Sequence, residues 1–311
     1  MSSLKEIKGR IASVKNTLKI TSAMKMVASA KLHKAQNAIG NKLPYEQKLH
    51  KMLSGMLQDD DLQKALQKEF GFGSGRSPVS LQDTAIDAIP DKEHVSRVAV
   101  VAFSSNSSLI GAFNANVIKK FSQTMRLLSE AGYAADDIDI YSVGRKMADA
   151  VCRDGYRSYM ELPDLSDKPD YAKASDLASE LVDRFASGKV GQVILIYNHF
   201  ASMSSQPSVR ENYLPIALGD FNETSEPVDY ILEPDPLELV RDLLPLVLNM
   251  KIYTVALDAS AAEHAARTVA MQVASDNAQD LITELTLAYN KGRQQAITAE
   301  ILDLVGGMQD R

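Results

Sequence analysis

The placement of proline constrains this 311-residue chain more than any other feature. All eleven prolines fall between Pro44 and Pro245, so both ends are free of the residue that breaks helices. The start has positive reasons to be helical. Ser3-Leu4-Lys5-Glu6 has the capping-box pattern, with a hydroxyl for the early amides and a glutamate three residues on. Behind it, apolar residues recur at Ile7, Ile11, Val14 and Leu18. Continued at about 3.5 residues per step, the register reaches Thr21, Lys25, Ala28, Leu32, Ala35 and Ile39. So narrow a stripe predicts a coiled-coil seam rather than the wide face of a core helix. Thr21 and Lys25 interrupt it, and Ile20, Met24 and Val27 offer an adjacent apolar strip. The helix is expected to run to about residue 57, through Pro44, where a bend is allowed.

The other end begins at Asp235-Pro236-Leu237-Glu238, where an N-cap Asp, a Pro at the first helical position and a Glu two residues later mark a helix start. Pro245 is expected to kink it. Residues 246–311 then contain no proline, and no glycine before Gly292. Val255, Ala259, Ala262, Ala266, Val269 and Val273 follow a seven-residue repeat, whose alanines permit close approach of a second helix. Gly306-Gly307 is the expected stop. A continuous helix over 236–305 would be roughly 100 Å long at about 1.5 Å per residue. A sheet domain of about 130 residues cannot cover that length. It needs a partner helix, and the N-terminal segment is the candidate within the chain. The two ends are therefore expected to pair as a long antiparallel coiled coil, with the C-terminal helix projecting beyond its partner.

Between them the pattern alternates. Val95 to Phe103 and Val193 to Asn198 read as buried strands, and Ile138 to Val143 as another. Phe113 to Ala131, Arg145 to Arg153 and Tyr171 to Ser187 read as helices, and Ser208 to Ile216 as an edge strand. Alternating strands and helices predict a mostly parallel sheet covered on both faces, a Rossmann-like α/β domain inserted between the shaft helices. The expected division is a shaft helix over 1–58, a flexible connection over 59–94, the α/β domain over 95–234 and a second shaft helix over 235–311. The connection holds Asp59-Asp60-Asp61 and the run Gly71-Phe72-Gly73-Ser74-Gly75.

The Ser-rich turn Ser104 to Ser108 follows a strand and offers an anion site at a helix N-terminus. Against a nucleotide site stand the missing Gly-x-Gly-x-x-Gly fingerprint and the lack of an acid at the usual spacing. No catalytic constellation and no metal-ligand spacing stand out: His33, His50, His94, His199 and His264 are scattered. Cys152, the one cysteine, excludes an internal disulfide and is expected to be a small buried apolar residue. No cofactor is implied. No uninterrupted apolar run is long enough to span a bilayer, so a membrane link is expected to pass through partners.

The net charge of −6 hides a polarity. Residues 1–51 carry eleven Lys or Arg against Glu6 and Glu46, a local +9, which leaves −15 for the remaining 260 residues. A basic helix is a solvated face, a nucleic-acid binder or a surface for an acidic protein. Residues 1–44 lack Phe, Tyr and Trp and show no recognition motif, which weighs against nucleic acid. An α/β enzyme with helical dimerisation arms is the remaining alternative. The tail, with Ile297, Ile301, Leu302, Leu304, Val305 and Met308, is apolar on more than one face and calls for a partner's socket.

Several stretches resemble the gamma subunit of F-type ATP synthase. They are Lys5 to Lys8, Ile11 to Thr17 and Lys19 to Ala28 at the start, and Tyr230 with Glu233 to Pro236 before the last helix. Glu263 to Arg267, Met271, Asp276 to Ala278, Tyr289 to Lys291, Arg293-Gln294, Ala296 to Thr298, Glu300-Ile301 and Val305 to Gly307 continue the likeness. The family usually has Asp-Arg-Gly-Leu-Cys-Gly where this chain reads Asn106-Ser107-Ser108-Leu109-Ile110-Gly111. The resemblance implies a non-catalytic rotor whose coiled coil enters a ring of alpha and beta subunits, with its apolar tip in a hydrophobic sleeve. It implies that Arg293, Gln294 and Thr298 meet the beta subunit near the catalytic crown, and that Met24 and Arg267 face its acidic lever loop. Tyr230 and Glu233 would form the foot on the membrane ring of c subunits, beside the epsilon subunit. The implied location is the cytoplasmic face of a bacterial inner membrane.

Overall fold

The computed structural model describes residues 4–56, 97–215 and 235–309. The capping Ser3, the 59–94 connection, Tyr230 and Glu233 lie outside the described residues. The first helix, α1, is Leu4–Met56 and runs through Pro44. A five-stranded sheet follows, built from β1 (Val98–Phe103), β2 (Ile138–Val143), β3 (Ser158–Glu161), β4 (Gln192–Asn198) and β5 (Ser208–Leu214). Between the strands lie α2 (Phe113–Glu130), α3 (Arg145–Arg153), α4 (Pro163–Asp167) and α5 (Tyr171–Ala186). The last helix, α6, is Pro236–Gln309 and carries Pro245 inside it. The chain divides into two compact units, one of residues 1–30 with 267–311 and one of residues 31–266.

In the larger unit the strand order is β3-β2-β1-β4-β5. β1 is parallel to β2 and β4, β2 is parallel to β3, and β5 closes the edge antiparallel to β4. Alternation along β1 divides the core. Ala99, Val101 and Phe103 point to one face, where Leu177 and Leu181 of α5 and Val240, Leu244, Leu248 and Ile252 of α6 cover them. Val98, Val100 and Ala102 point to the other, under Val117, Phe121 and Met125 of α2 and Met147 and Val151 of α3. Strands buried on both faces read as continuous Val/Ile runs, which is why β1 and β4 were legible. β3 was not expected. Its four residues Ser-Tyr-Met-Glu alternate between half-buried and exposed at the sheet edge, so no apolar run marks them.

Three further expectations are corrected. Cys152 is exposed, because α3 buries Met147, Ala150 and Val151 and the next position turns outward. Gly306-Gly307 does not end α6, which continues to Gln309; each glycine costs a helix only about 1 kcal/mol relative to alanine. The seam of α6 in the smaller unit is also not the valine repeat. Met271, Ser275, Ala278 and Ile282 are buried there, while Val269 and Val273 are exposed.

One stretch of α6 satisfies a length and composition test for a membrane span, with a mean hydropathy of 1.2, and 44% of that window is buried inside the protein. The side chains of Val240, Leu244, Leu248 and Ile252 account for such an apolar run as sheet cover.

Candidate functional site

In the smaller unit α1 and α6 run antiparallel. Thr21 and Ser275 are both buried, with their hydroxyl oxygens 2.8 Å apart. Leu18 O lies 3.1 Å from Thr21 Oγ1 and Met271 O 2.8 Å from Ser275 Oγ, so with one proton each, one hydroxyl donates across the seam while the other donates to its own helix. A buried hydroxyl pair of this kind satisfies its polar atoms across the seam. One turn on, Lys25 Nζ donates to Gln272 Oε1 at 2.8 Å, and Gln272 Nε2 donates to Asp276 Oδ1 at 2.8 Å. The interruption of the α1 seam is thus a built polar layer. Near the start of α1, Gly292 of α6 faces Leu4, where an added Cβ would stand 3.2 Å from Leu4 Cδ2.

The residues of α6 past Gly292 have run beyond the start of α1. Arg293, Gln294 and Thr298 are exposed there, with Thr298 Oγ1 bonded to Gln294 O at 2.9 Å. Ile297, Ile301 and Leu302 share that segment and are exposed. Met24, next to Lys25, is half-buried, and so is Arg267 on α6. Arg267 lies five residues from the Gln272 that Lys25 grips, roughly 7 Å along the axis at about 1.5 Å per residue. The structure places Met24 and Arg267 along the paired stretch of the two helices, on α1 and α6, and Arg293, Gln294 and Thr298 past Gly292.

Exposed apolar residues flank the seam on both helices, and of these Val269 and Val273 were expected within it. Ile20 is 60% exposed, Val27 58% and Val273 53%, beside Val269. Their signal was present as helical stripes adjacent to the seam, but a stripe does not state which side the second helix takes. Exposed β-branched residues beside lysines make a surface suited to a partner.

The Ser-rich turn after β1 is a structural turn, bonded into the start of α3. Asn106 Oδ1 accepts from Arg145 N at 2.8 Å, Ser105 O from Lys146 N at 3.2 Å, and Ser104 Oγ from Met147 N at 2.8 Å. These are the amides at the start of α3 that an anion would need. Gly144, with φ of 97°, lets the backbone pass so close to Ser104 that a Cβ would collide with its carbonyl oxygen. At the neighbouring turn, Asn114 of α2 takes Ser105 N at 3.2 Å. The crevice between β1 and β4, where open α/β sheets bind ligands, holds Phe200 packed with Ile110, Phe113 and Ala262. The nearby cavity lined by Ser104, Ser166, Ser260 and Glu263 measures about 10 Å³, room for about one water. Among the described residues no His, Cys, Asp and Glu group forms a metal cluster.

One unit is thus an antiparallel pair of terminal helices with apolar side chains facing outward, and the other is an α/β domain with a five-stranded sheet. The family model described as ATP synthase matches residues 3–309. ATP synthase gamma chains of Bacteroides thetaiotaomicron and Bacteroides fragilis are 50% and 51% identical, each with 99% of both chains covered. The chain belongs to the ATP synthase gamma chain family. Its fold also resembles a chain of the Euglena gracilis mitochondrial ATP synthase, with a TM-score of 0.58 and 19% identity over 98% of this chain and 93% of that one. A chain of the central stalk and c-ring structure from Tetrahymena thermophila gives a TM-score of 0.55 and 22% identity over 82% of this chain and 99% of that one. The alternative of a nucleic-acid-binding coiled coil finds no support in these relatives.

Proposed function

We propose that this chain is the central-stalk rotor of a proton-translocating F-type ATP synthase, coupling rotation of a membrane ring to ATP synthesis in an alpha/beta head. The observation that carries the mechanism is the exposed segment of α6 past Gly292, with Arg293, Gln294 and Thr298, beside the half-buried Met24 and Arg267 on the paired stretch of the helices. A single asymmetric shaft inside a ring of repeated subunits meets each copy with a different face. It shifts a catalytic site only through differential contact with that site's conformations, which is what outward stripes of mixed chemistry supply. The chain contributes no catalytic group; the chemistry belongs to the head. Basic α1, with Met24, and Arg267 of α6 suit acidic loops of the beta subunits, and Arg293, Gln294 and Thr298 serve the contact near the crown. Tyr230 and Glu233 serve the foot on the c ring, beside the epsilon subunit. The work divides among the helix 1–58, the connection 59–94, the domain 95–234 and the helix 235–311. The complex sits on the cytoplasmic face of the bacterial inner membrane.

Arg293→Ala tests the reading. Its exposed guanidinium contributes nothing to the fold of the free chain, so thermal unfolding stays unchanged while ATP synthesis in the reconstituted complex falls about five-fold or more. Unchanged synthesis and hydrolysis would remove Arg293 from the coupling contact.

A further inference from the structure

The loop after β4 carries a feature that the rotor reading does not use. β4 ends at Asn198, which is held from both sides: its Nδ2 donates to Phe113 O at 3.1 Å, and its Oδ1 accepts from Ser208 Oγ at 2.5 Å. The loop beyond closes on itself. His199 N donates to Pro207 O at 2.9 Å and Ser202 N to Ser205 O at 3.0 Å. Gln206 Nε2 donates to Ser202 O at 2.9 Å and Met203 O at 2.8 Å. From this stiff base Phe200 projects into two apolar clusters at once. On one side it meets Leu32 and Ala35 of α1 with Ala261 and Ala265 of α6. On the other it packs against the cluster of Ile110, Phe113 and Ala262. Alanines on both helices leave the space that the ring fills.

Asp258, one turn earlier on α6, fixes this placement. Its Oδ1 accepts from Phe200 N at 3.0 Å, and its Oδ2 lies 2.6 Å from His199 Nδ1. Both carboxylate oxygens are thus spent on two consecutive loop residues, a bidentate clasp stronger than a single neutral bond. The two helices differ in how they are tied to the domain. α6 lies on the sheet through Val240, Leu244, Leu248 and Ile252. For α1, Leu32 and Ala35 enter the cluster around Phe200 with Ile39 packed against it, and Leu49 is buried further along the helix.

We propose that Asp258 is a positioning residue that holds Phe200 as a wedge between the α/β domain and α1, and that this wedge is the joint through which torque enters α1. The proposal rests on the rotor reading and adds to it the path of force inside the chain. A joint of this kind matters when the domain is driven against a load, and little when the head turns the helices unloaded.

The test uses the full complex, with alpha and beta subunits and the membrane ring, in proteoliposomes, alongside the soluble alpha/beta head with the full chain. Asp258→Ala and Phe200→Ala are expected to lower ion-gradient-driven ATP synthesis about five-fold or more while ATP hydrolysis by the soluble head stays within about two-fold. Asp258→Asn keeps an acceptor for the Phe200 amide and is expected to restore most of the synthesis. A parallel fall of synthesis and hydrolysis would assign these residues to folding alone and overturn the joint, as would no change in either. Failure of the parent chain to enter the head overturns the rotor reading itself, and is seen before any variant is made.

Discussion

The Tyr213 hydroxyl lies in the core and donates to Leu248 O of α6 at 3.1 Å. Burial raises its pKa above the ordinary 10.0, because the phenolate would have to form away from water. The folded state then keeps a proton that the unfolded state releases. This contribution is present in full below about pH 10 and is lost as pH rises beyond it. Tyr213→Phe is expected to cost about 1 kcal/mol at neutral pH in denaturant titrations and to flatten the alkaline loss of stability. An alkaline limb as steep as the parent's would place the titration elsewhere, with Tyr141, whose pKa burial also raises, as the next residue to replace. Gly144→Ala belongs to the same scale. With positive φ and Ser104 O in its way, it should cost about 1–3 kcal/mol, and a neutral result would mean that the turn after β2 shifts freely. Cys152 shows the limit of residue-type reasoning: cysteines are mostly buried, but its helical phase turns this one outward.

At the scale of elements, sequence periodicity read α1 more fully than α6. The seam expected from Ile7 to Ile39 is the inward side of α1: Thr21, Ala28, Leu32 and Ala35 are buried and Ile20 and Val27 are exposed. On α6 hydrophobicity pointed to Val269 and Val273, whereas close packing chose Met271, Ser275 and Ala278. Small residues carry a seam because they admit the partner, and apolar weight alone does not mark them. Both polar layers and exposed stripes follow from that choice, which is why the candidate site was legible as a list of residues but not as a surface. The Thr21–Ser275 pair offers a direct check. In a double-mutant cycle with Thr21→Val and Ser275→Ala, the two losses should fall short of additive by about 0.5–1 kcal/mol, since either change alone breaks the same bond across the seam. Additive losses would mean that each hydroxyl serves only its own helix.

At the scale of the whole molecule, the basic stretch over residues 1–51, the plugged α/β crevice and the exposed segment past Gly292 tell one story: contacts are made outward. Truncation after Lys291 removes Gly292, which faces Leu4, and with it the exposed Arg293, Gln294, Ile297, Thr298, Ile301 and Leu302. The truncated chain is expected to fold as the parent does and to lose coupling in the assembled head. The family match settled what periodicity could not, that the chain belongs to the ATP synthase gamma chain family. The central claim is that the chain turns within its partners, and the exposed single cysteine provides the means to see it. A bead would be attached through Cys152 on the α/β domain, with the alpha/beta head, freed of its own reactive cysteines, fixed to a surface and supplied with ATP. Stepwise rotation in one direction, stopping when ATP is exhausted, is expected. A head that hydrolyses ATP while the labelled, assembled chain stays still would contradict it.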